Sequence, residues 1–307
     1  MSKSLFKWVD SLLVFFVVGP LAGMLIASLR AVDGDRETTP LTSATPLLGA
    51  LYLLVAGVAA CLCGLLGGRL FGRGRGYTLA GLVFGWVAWR TGNARMVLGD
   101  LDSGANLLLL AGEGVLAGAI ALGAAMVIER FCHLSAEDQG RPGNADLPAP
   151  TWAQLLRPAP VPAMLLAMFA AALTASVLAW LFAFSVVKGQ CLLAAIIAGV
   201  GAGVVSQLIL APKLPDRPAP IWIPLAAMIL VAVASAVVAR VVLGADVIAA
   251  ARGTGSIARL QLWPLNRILP LDWIAGALLG ARIGTDWAAS MLERGVHHAD
   301  GAQPHAS

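Results

Sequence analysis

VPAMLLAMFAAALTASVLAWLFAFSVV, residues 161–187, contains no charged side chain over 27 consecutive positions. A helix needs about 20 apolar residues to cross the roughly 30 Å hydrocarbon core of a bilayer. This stretch is long enough to do so and is bounded by polar sequence on both sides. It therefore predicts a transmembrane helix.

The whole chain has the composition of a membrane protein. Of its 307 residues, 59% are hydrophobic and 12% are charged, and the mean hydropathy is +0.82. Soluble domains are about 45–50% apolar and about 25% charged. The low charge excludes intrinsic disorder, and only four cysteines exclude a disulfide-stapled secreted module. We predict an all-α fold, a polytopic integral membrane helical bundle.

The apolar runs predict seven to eight spans. Seven of them are long enough to cross: residues 11–29, 47–68, 107–128, 161–187, 191–211, 221–243 and 271–292. The run at residues 77–89 reaches only about 20 Å at 1.5 Å per residue. It either crosses by burying Arg90 and Asn93 in protein or is a half-helix. We assign residues 1–292 to a single transmembrane domain and residues 293–307 to a polar tail expected to be disordered.

The distribution of basic residues predicts the orientation. With eight spans, segments on the N-terminal side hold 11 Lys and Arg residues and segments on the other side hold 9. Because cytoplasmic loops are richer in Lys and Arg, we predict a cytoplasmic N-terminus. The Ala-, Gly-, Arg- and Pro-rich composition is typical of GC-rich bacteria, which suggests a multi-pass protein of a bacterial inner membrane.

The basic loops also indicate which partners to expect. Such loops attract anionic lipid headgroups. Nucleic-acid binding would need a basic face on a soluble module, and the chain has no room for one, so no nucleic-acid partner is predicted. A second copy of the chain or another membrane protein could pack against its Gly- and Ala-rich helices.

Two short patterns recur along the chain. Arg-Pro-Ala-Pro occurs at residues 157–160 and 217–220, each time just before a predicted span. Ile-Ala-Gly-x-x-x-Gly occurs at residues 197–203 and 274–280. These repeats predict duplicated helical hairpins, an organisation common among transporters. The alternative is chance, because Ala and Gly are abundant throughout.

Small residues at helical spacing predict close helix packing. Gly and Ala allow the backbones of membrane helices to approach one another. The predicted packing glycines are Gly114, Gly118, Gly199, Gly203, Gly276, Gly280 and Gly284.

Glu113 is the most informative charged residue. It lies about 10 Å into the fourth predicted span at 1.5 Å per residue, next to the small-residue stripe that begins at Gly114. It is therefore expected to face protein rather than lipid. Ionisable residues within membrane helices mark ion or ligand pathways by default, which predicts a proton- or cation-linked site. The alternative is a structural glutamate that is protonated or capped by a neighbour.

Arg282 and Asp286 interrupt the last predicted span one helical turn apart. They are candidates for the same pathway, and the alternative is an internal ion pair at i and i+4. The fourth and last spans run in the same direction, and Arg282 is expected about 6 Å deeper than Glu113. We therefore predict that Glu113 and Arg282 belong to one buried polar cluster.

Several kinds of chemistry are excluded by missing motifs. No histidine lies in a predicted span, which argues against a membrane haem. The chain lacks G-x-x-x-x-G-K-[ST], H-E-x-x-H, C-x-x-C and G-x-S-x-G motifs. Asp100 and Asp246 are interpreted as solvated loop acids, and Lys188, one turn from Ser185, as an interfacial anchor. We predict no cofactor, metal site or catalytic residue.

These observations favour a small secondary transporter or permease-like protein with a buried carboxylate site. The alternative is a non-catalytic structural subunit of a membrane protein complex, which needs no internal polar site. An intramembrane enzyme is the third hypothesis, and we lean against it because the catalytic motifs are missing.

Overall fold

The computed structural model describes residues 3–30, 37–101, 106–133, 150–214, 217–243, 245–253 and 264–300. Within these ranges the protein is helical and contains no β-strand. The α-helices, in chain order, are α1 Lys3–Leu13, α2 Gly19–Ala27, α3 Pro46–Phe71, α4 Arg73–Arg90, α5 Ala94–Gly99, α6 Leu107–Phe131, α7 Trp152–Leu156, α8 Val161–Phe182, α9 Lys188–Leu210, α10 Trp222–Val238, α11 Ala245–Arg252 and α12 Pro270–Asp300.

Among the described residues, six helices are long and apolar enough to cross a membrane. They are Leu5–Ala27, Pro46–Phe71, Leu107–Phe131, Val161–Phe182, Lys188–Lys213 and Trp222–Val242. The first combines α1 and α2 through a π-helical turn at Val14–Val18. The chain is therefore a multi-pass membrane protein, and the predicted count of seven to eight spans is not confirmed by this criterion.

The two remaining long helices, α4 and α12, form the centre of the bundle. α12 packs against α4, α6, α9 and α10, and α4 packs against α2, α3 and α12. Tyr77 and Phe84 on α4 and Trp273 on α12 are among the largest fully buried side chains. Neighbouring helices bury much of their surface, and both carry a larger share of charged residues than the six apolar helices.

The run at residues 77–89 is part of a longer helix. α4 begins at Arg73 and has 18 residues, which corresponds to about 27 Å. Its polar first turn is buried: Arg73 is 7% exposed. At the other end, the Arg90 guanidinium lies over the Trp86 ring, and Asn93 caps α5 by accepting a hydrogen bond from the Met96 amide.

Successive long helices run in opposite directions between two ends of the bundle. At the N-terminal face, the Arg73 amide donates to the His133 carbonyl, which joins the start of α4 to the end of α6. At the opposite face, Lys188 at the start of α9 contacts Thr91 at the end of α4 and Asp272 at the start of α12. The helices α5 and α11 also lie at the opposite face and pack on each other.

The first helix begins earlier than predicted. The sequence places the start of the first span at residue 11, after the charged Asp10, whereas the helix already includes residues 3–10. The Arg75 guanidinium lies 3.8 Å from the Asp10 carboxylate and also donates to the Lys7 carbonyl and the Ser11 hydroxyl. A partner on α4 thus offsets the cost of a carboxylate inside this helix.

The ends of two later helices also differ from the prediction. α8 ends at Phe182 rather than Val187, and Arg267 donates to the carbonyls of Ala183 and Phe184, each at 2.7 Å. A cation at the last carbonyls of a helix satisfies acceptors that have no partner within the helix. α12 continues to Asp300, past the predicted end of the last span.

Five of the predicted packing glycines lie between α9 and α12, where the two helices approach each other most closely. A Cβ atom on Gly203 would lie 2.1 Å from the Ala281 carbonyl oxygen, and one on Gly284 would lie 2.0 Å from that of Val200. Gly199, Gly276 and Gly280 also have backbone of the partner helix within 2.6 Å of such an atom. The two backbones are in direct contact along this line.

Gly114 and Gly118 lie at a different interface. Both are on α6 and face α10, where a Cβ atom would lie 3.2 Å from a Val233 methyl group and 2.6 Å from an Ile229 methyl group, respectively. Here the obstacle is a side chain rather than backbone, so the contact is looser than that between α9 and α12.

Candidate functional site: two buried polar clusters

Glu113 is fully buried, with 0% exposure, on α6. Its Oε2 accepts a hydrogen bond of 3.1 Å from the Leu41 amide, and the Thr39 side chain lies beside it. Its Oε1 accepts no hydrogen bond. The charged groups that interact electrostatically with this carboxylate are Lys188 and Asp272. We call these five residues the Glu113 cluster.

The segment before α3 covers Glu113 at the face of the bundle opposite the N-terminal face. Thr39 is 1% exposed, and its amide and hydroxyl both bond to the Thr42 hydroxyl. Glu37 accepts a 2.6 Å hydrogen bond from the Asn93 amide. This segment, which we call the 37–43 loop, therefore closes the cluster by means of backbone and side-chain hydrogen bonds.

Lys188 and Asp272 form a buried ion pair. The ammonium lies 2.9 Å from Oδ1 and 3.0 Å from Oδ2 of Asp272, and the two side chains are 13% and 1% exposed. The ammonium also donates to the Thr91 hydroxyl at 2.7 Å and the Gly92 carbonyl at 3.2 Å. Lys188 thus connects the end of α4 to the starts of α9 and α12.

Asp272 is held in place by its own helix as well. It lies in the first turn of α12, and its Oδ2 accepts a hydrogen bond of 3.2 Å from the Leu269 amide. A carboxylate in the first turn of a helix interacts favourably with the helix dipole and with the free amide groups there. The carboxylate therefore stays fixed in the geometry that receives Lys188.

Arg282 and Asp286 lie deeper along α12. Their side chains form an i,i+4 ion pair of 2.8 Å, in which Arg282 is 7% and Asp286 is 37% exposed. Ten residues separate Arg282 from Asp272 on one helix, which is about 15 Å. Arg282 interacts electrostatically with Tyr77 and Glu129. The α12 residue that interacts electrostatically with Glu113 is Asp272.

The prediction that Glu113 and Arg282 share one polar cluster is therefore wrong. The two residues belong to different ends of the bundle. The start of α12, rather than its middle, is level with Glu113, because α6 and α12 do not begin at the same level in the bundle.

A second buried cluster, the Glu129 cluster, lies toward the N-terminal face and contains Arg73, Tyr77, Glu129 and Arg282. Glu129 is 3% exposed, and its Oε1 accepts a 3.2 Å hydrogen bond from the Ile221 amide. The Arg73 guanidinium lies 4.0 Å from the same oxygen. The Tyr77 hydroxyl is close to Glu129 yet makes no hydrogen bond of normal geometry.

Sequence reasoning missed Lys188, Asp272, Arg73 and Glu129. Each lies within four residues of a helix end, where a charge is normally expected to reach the lipid headgroups. The interpretation of Lys188 as an interfacial anchor is wrong, because its ammonium is engaged inside the protein. Ser185, one turn before it, contacts the Gln190 side chain.

Asp100 and Asp246 lie at the ends of α5 and α11. Asp100 accepts a 3.1 Å hydrogen bond from the Glu37 amide, and Asp246 is exposed on α11. In the part of the chain that the structure describes, no group of three His, Cys, Asp or Glu side chains is placed to hold a metal ion.

Comparison with known proteins adds no relative from which a function could be carried over. No protein-family model, no curated protein and no solved structure matches this chain.

Proposed function

We propose that this chain is a small secondary transporter in which Glu113 binds the coupling proton or cation. The observation that carries the proposal is the environment of the Glu113 carboxylate. It is completely buried on α6, a helix long and apolar enough to cross a membrane. One of its oxygens has no hydrogen-bond donor, and its charged neighbours are Lys188 and Asp272.

The charge balance of this cluster favours binding of a positive charge. With every group ionised, Glu113 and Asp272 carry two negative charges and Lys188 one positive charge. The Lys188 ammonium already lies within 3.0 Å of both Asp272 oxygens, so the remaining charge falls on Glu113. An uncompensated charge inside a membrane protein costs several kcal/mol. One proton or one cation at Glu113 would remove that cost.

The 37–43 loop supplies a gate for such a site. It covers Glu113 with Thr39, Pro40 and Leu41, all of which are fully or half-buried. Two of its attachments to the rest of the protein are the hydrogen bonds of Glu37 and Leu41, which opening would break. Opening would connect Glu113 to the opposite face.

Replacing Glu113 with glutamine is expected to abolish transport while leaving the fold intact. The amide keeps an acceptor for the Leu41 amide and removes the unbalanced charge, so the stability should change by less than about 1 kcal/mol. The measurement uses proteoliposomes with a trapped pH dye. They are challenged with inorganic phosphate, short carboxylates, amino acids, sugars, Na⁺ and K⁺, each as a concentration jump.

At least one solute should give a signal that the glutamine variant loses by about tenfold or more, which corresponds to 1.4 kcal/mol. Asp246→Asn is the matched control, since it removes an exposed carboxylate at the same face, and it should transport normally. Equal responses of the wild-type and Glu113→Gln proteins would contradict a role for Glu113. Absence of any response in the wild type would contradict transport of these solutes.

The second candidate function, a structural subunit, is favoured by one apolar surface. A groove of about 430 Å³ on the lipid side is lined by Phe15, Trp86, Trp89, Leu192 and Leu279. A lipid chain or a helix of another protein would fit there. The proteoliposome experiment separates the two candidates, because a structural subunit has no need of Glu113 and no solute response.

The membrane arrangement proposed with this function has eight crossings. α4 and α12 alternate in direction with the six apolar helices, so counting them as crossings puts both termini on one side. The excess of basic residues on that side, 11 against 9, supports a cytoplasmic N-terminus in a bacterial inner membrane. Anionic lipids at the basic loops and a second copy of the chain remain the proposed partners.

A further inference from the structure

A cavity of about 250 Å³ with several charged lining residues opens at the N-terminal face, at the far end of the bundle from Glu113. Both Arg-Pro-Ala-Pro motifs contribute to its wall through Arg157, Pro158, Arg217, Pro218 and Pro220. Arg73, Glu129 and Gln154 complete its polar lining. The two repeats, 60 residues apart in the sequence, are thus brought together at one site.

The structure holds these two motifs rigidly. Ala159 and Ala219 are 9% and 3% exposed and belong to the same small hydrophobic cluster. The indole of Trp222 donates a 3.0 Å hydrogen bond to the Leu155 carbonyl, which ties the segments before α8 and α10 together. The Ala219 amide donates to the Gln207 side chain at 2.6 Å. The cavity wall is therefore formed before any ligand arrives.

The guanidinium groups in this wall keep N–H donors that no protein acceptor satisfies. Arg73 is 7% exposed, and its Nε donates no hydrogen bond. Its closest carboxylate oxygen, on Glu129, is 4.0 Å away, beyond hydrogen-bond distance. In the described part of the chain, no hydrogen bond or ion pair is made by the side chains of Arg157 and Arg217. Three cations against one carboxylate give the lining a net charge of +2.

We propose that this cavity binds a phosphate group. A buried guanidinium N–H without an acceptor is costly, and an anion in the cavity would supply the acceptor that the Nε of Arg73 lacks. The planar fork of arginine fits phosphate oxygens in a bidentate manner. The volume is below the 300–1,000 Å³ typical of drug-sized ligands, which suits a small anion or a headgroup. Glu129 remains compatible, because Arg73 and Arg282 act on it from the protein side.

The position of the cavity allows two sources of phosphate. Trp152 and Trp222 begin α7 and α10, each two residues along the chain from a residue of the cavity wall, Gln154 and Pro220. Tryptophan is enriched at the headgroup level of membranes. A phospholipid headgroup could therefore enter from the bilayer, and free inorganic phosphate could enter from the aqueous side. The inference does not depend on transport, because a phosphate site at this face requires neither Glu113 nor a gate.

The test measures thermal unfolding of the full chain in an uncharged detergent. In one arm, inorganic phosphate is titrated against chloride at constant ionic strength. In the other, phosphatidic acid is compared with diacylglycerol, which lacks only the phosphate. We expect at least one source of phosphate to raise the midpoint temperature in a saturable manner. Arg157→Gln combined with Arg217→Gln should weaken the apparent affinity by about tenfold or more, as expected for lost charge-assisted hydrogen bonds.

This double variant keeps the test decisive, because neither side chain supports the fold. Arg73→Gln should lose the response as well, although its burial makes it a riskier variant. The matched control is Arg69→Gln, an exposed arginine at the same face that does not line the cavity. A response to inorganic phosphate assigns the site to a soluble ligand, and a response to phosphatidic acid alone assigns it to a lipid. The proposal is overturned if neither source stabilises the protein, or if the double variant responds as strongly as Arg69→Gln.

Discussion

Replacing Lys188 with methionine is expected to destabilise the protein by roughly 3–5 kcal/mol, the usual cost of removing one partner of a buried ion pair. Methionine has a similar length and no charge, so the Asp272 carboxylate, 1% exposed, would be left without its cation. The change also removes the hydrogen bonds to Thr91 and Gly92. The contacts of α9 with the ends of α4 and α12 should therefore weaken together. Unfolding in mixed micelles, followed by circular dichroism, measures the loss.

Lys213→Met is the matched control for this prediction. Lys213 is exposed at the N-terminal face, and its replacement should change the stability by no more than about 0.5 kcal/mol. Adding Asp272→Asn to Lys188→Met should recover part of the loss, because the buried carboxylate charge is then removed. Equal stability of the Lys188 and Lys213 variants would show that the ion pair does not hold these helices.

Replacing Gly284 with alanine is expected to cost about 3 kcal/mol, the upper end for overpacking of a well-packed core. The added Cβ would lie 2.0 Å from the Val200 carbonyl oxygen and 2.9 Å from the Val204 amide nitrogen. Both are backbone atoms, so no side chain can move aside, and α9 must shift away from α12. Denaturation of the purified variant measures this cost.

Gly123→Ala provides the comparison within the same fold. No heavy atom lies within 4 Å of a Cβ built on Gly123, and alanine is favoured over glycine in a helix by up to about 1 kcal/mol. This variant should be as stable as the wild type or more so. If Gly284→Ala and Gly123→Ala behaved alike, the close contact between α9 and α12 would be refuted.

The apolar runs predicted the outer helices well. The run at residues 107–128 became α6, Leu107–Phe131, and that at 191–211 lies within Lys188–Lys213. These helices face lipid on one side, and lipid contact imposes an apolar sequence. α4 and α12 do not follow this rule, because neighbouring helices bury most of their surface and a polar residue on either can pair with a residue of a neighbour. A hydropathy criterion therefore does not count these two helices as spans.

Glu113 could be recognised from the sequence because a carboxylate in an apolar run is conspicuous. Its partners could not, since the Leu41 amide, Lys188 and Asp272 come from three distant segments that only the tertiary fold brings together. Lys188 was misread because a lysine that ends an apolar run looks the same whether it reaches the headgroups or an internal aspartate. Which of the two partners the lysine reaches depends on whether another helix end lies beside it in the fold.

The position of Arg282 was misjudged for a related reason. Depths measured from the start of each apolar run assume that all helices begin at one level. α6 and α12 do not, so the charged residue of α12 that interacts electrostatically with Glu113 is Asp272 rather than Arg282. The repeated Arg-Pro-Ala-Pro motif, by contrast, could be recognised from the sequence. That both copies line one cavity could be learned only from the structure.

The crossing of α4 determines where both polar clusters lie, and sided labelling tests it most directly. In a variant with Cys61, Cys63, Cys132 and Cys191 replaced, single cysteines are introduced at the exposed positions of Arg69, at the end of α3, and Met96, on α5. A membrane-impermeant maleimide is then added to right-side-out and to inverted vesicles. If α4 crosses, the two cysteines react from opposite sides of the membrane. Labelling of both from the same side would contradict the arrangement.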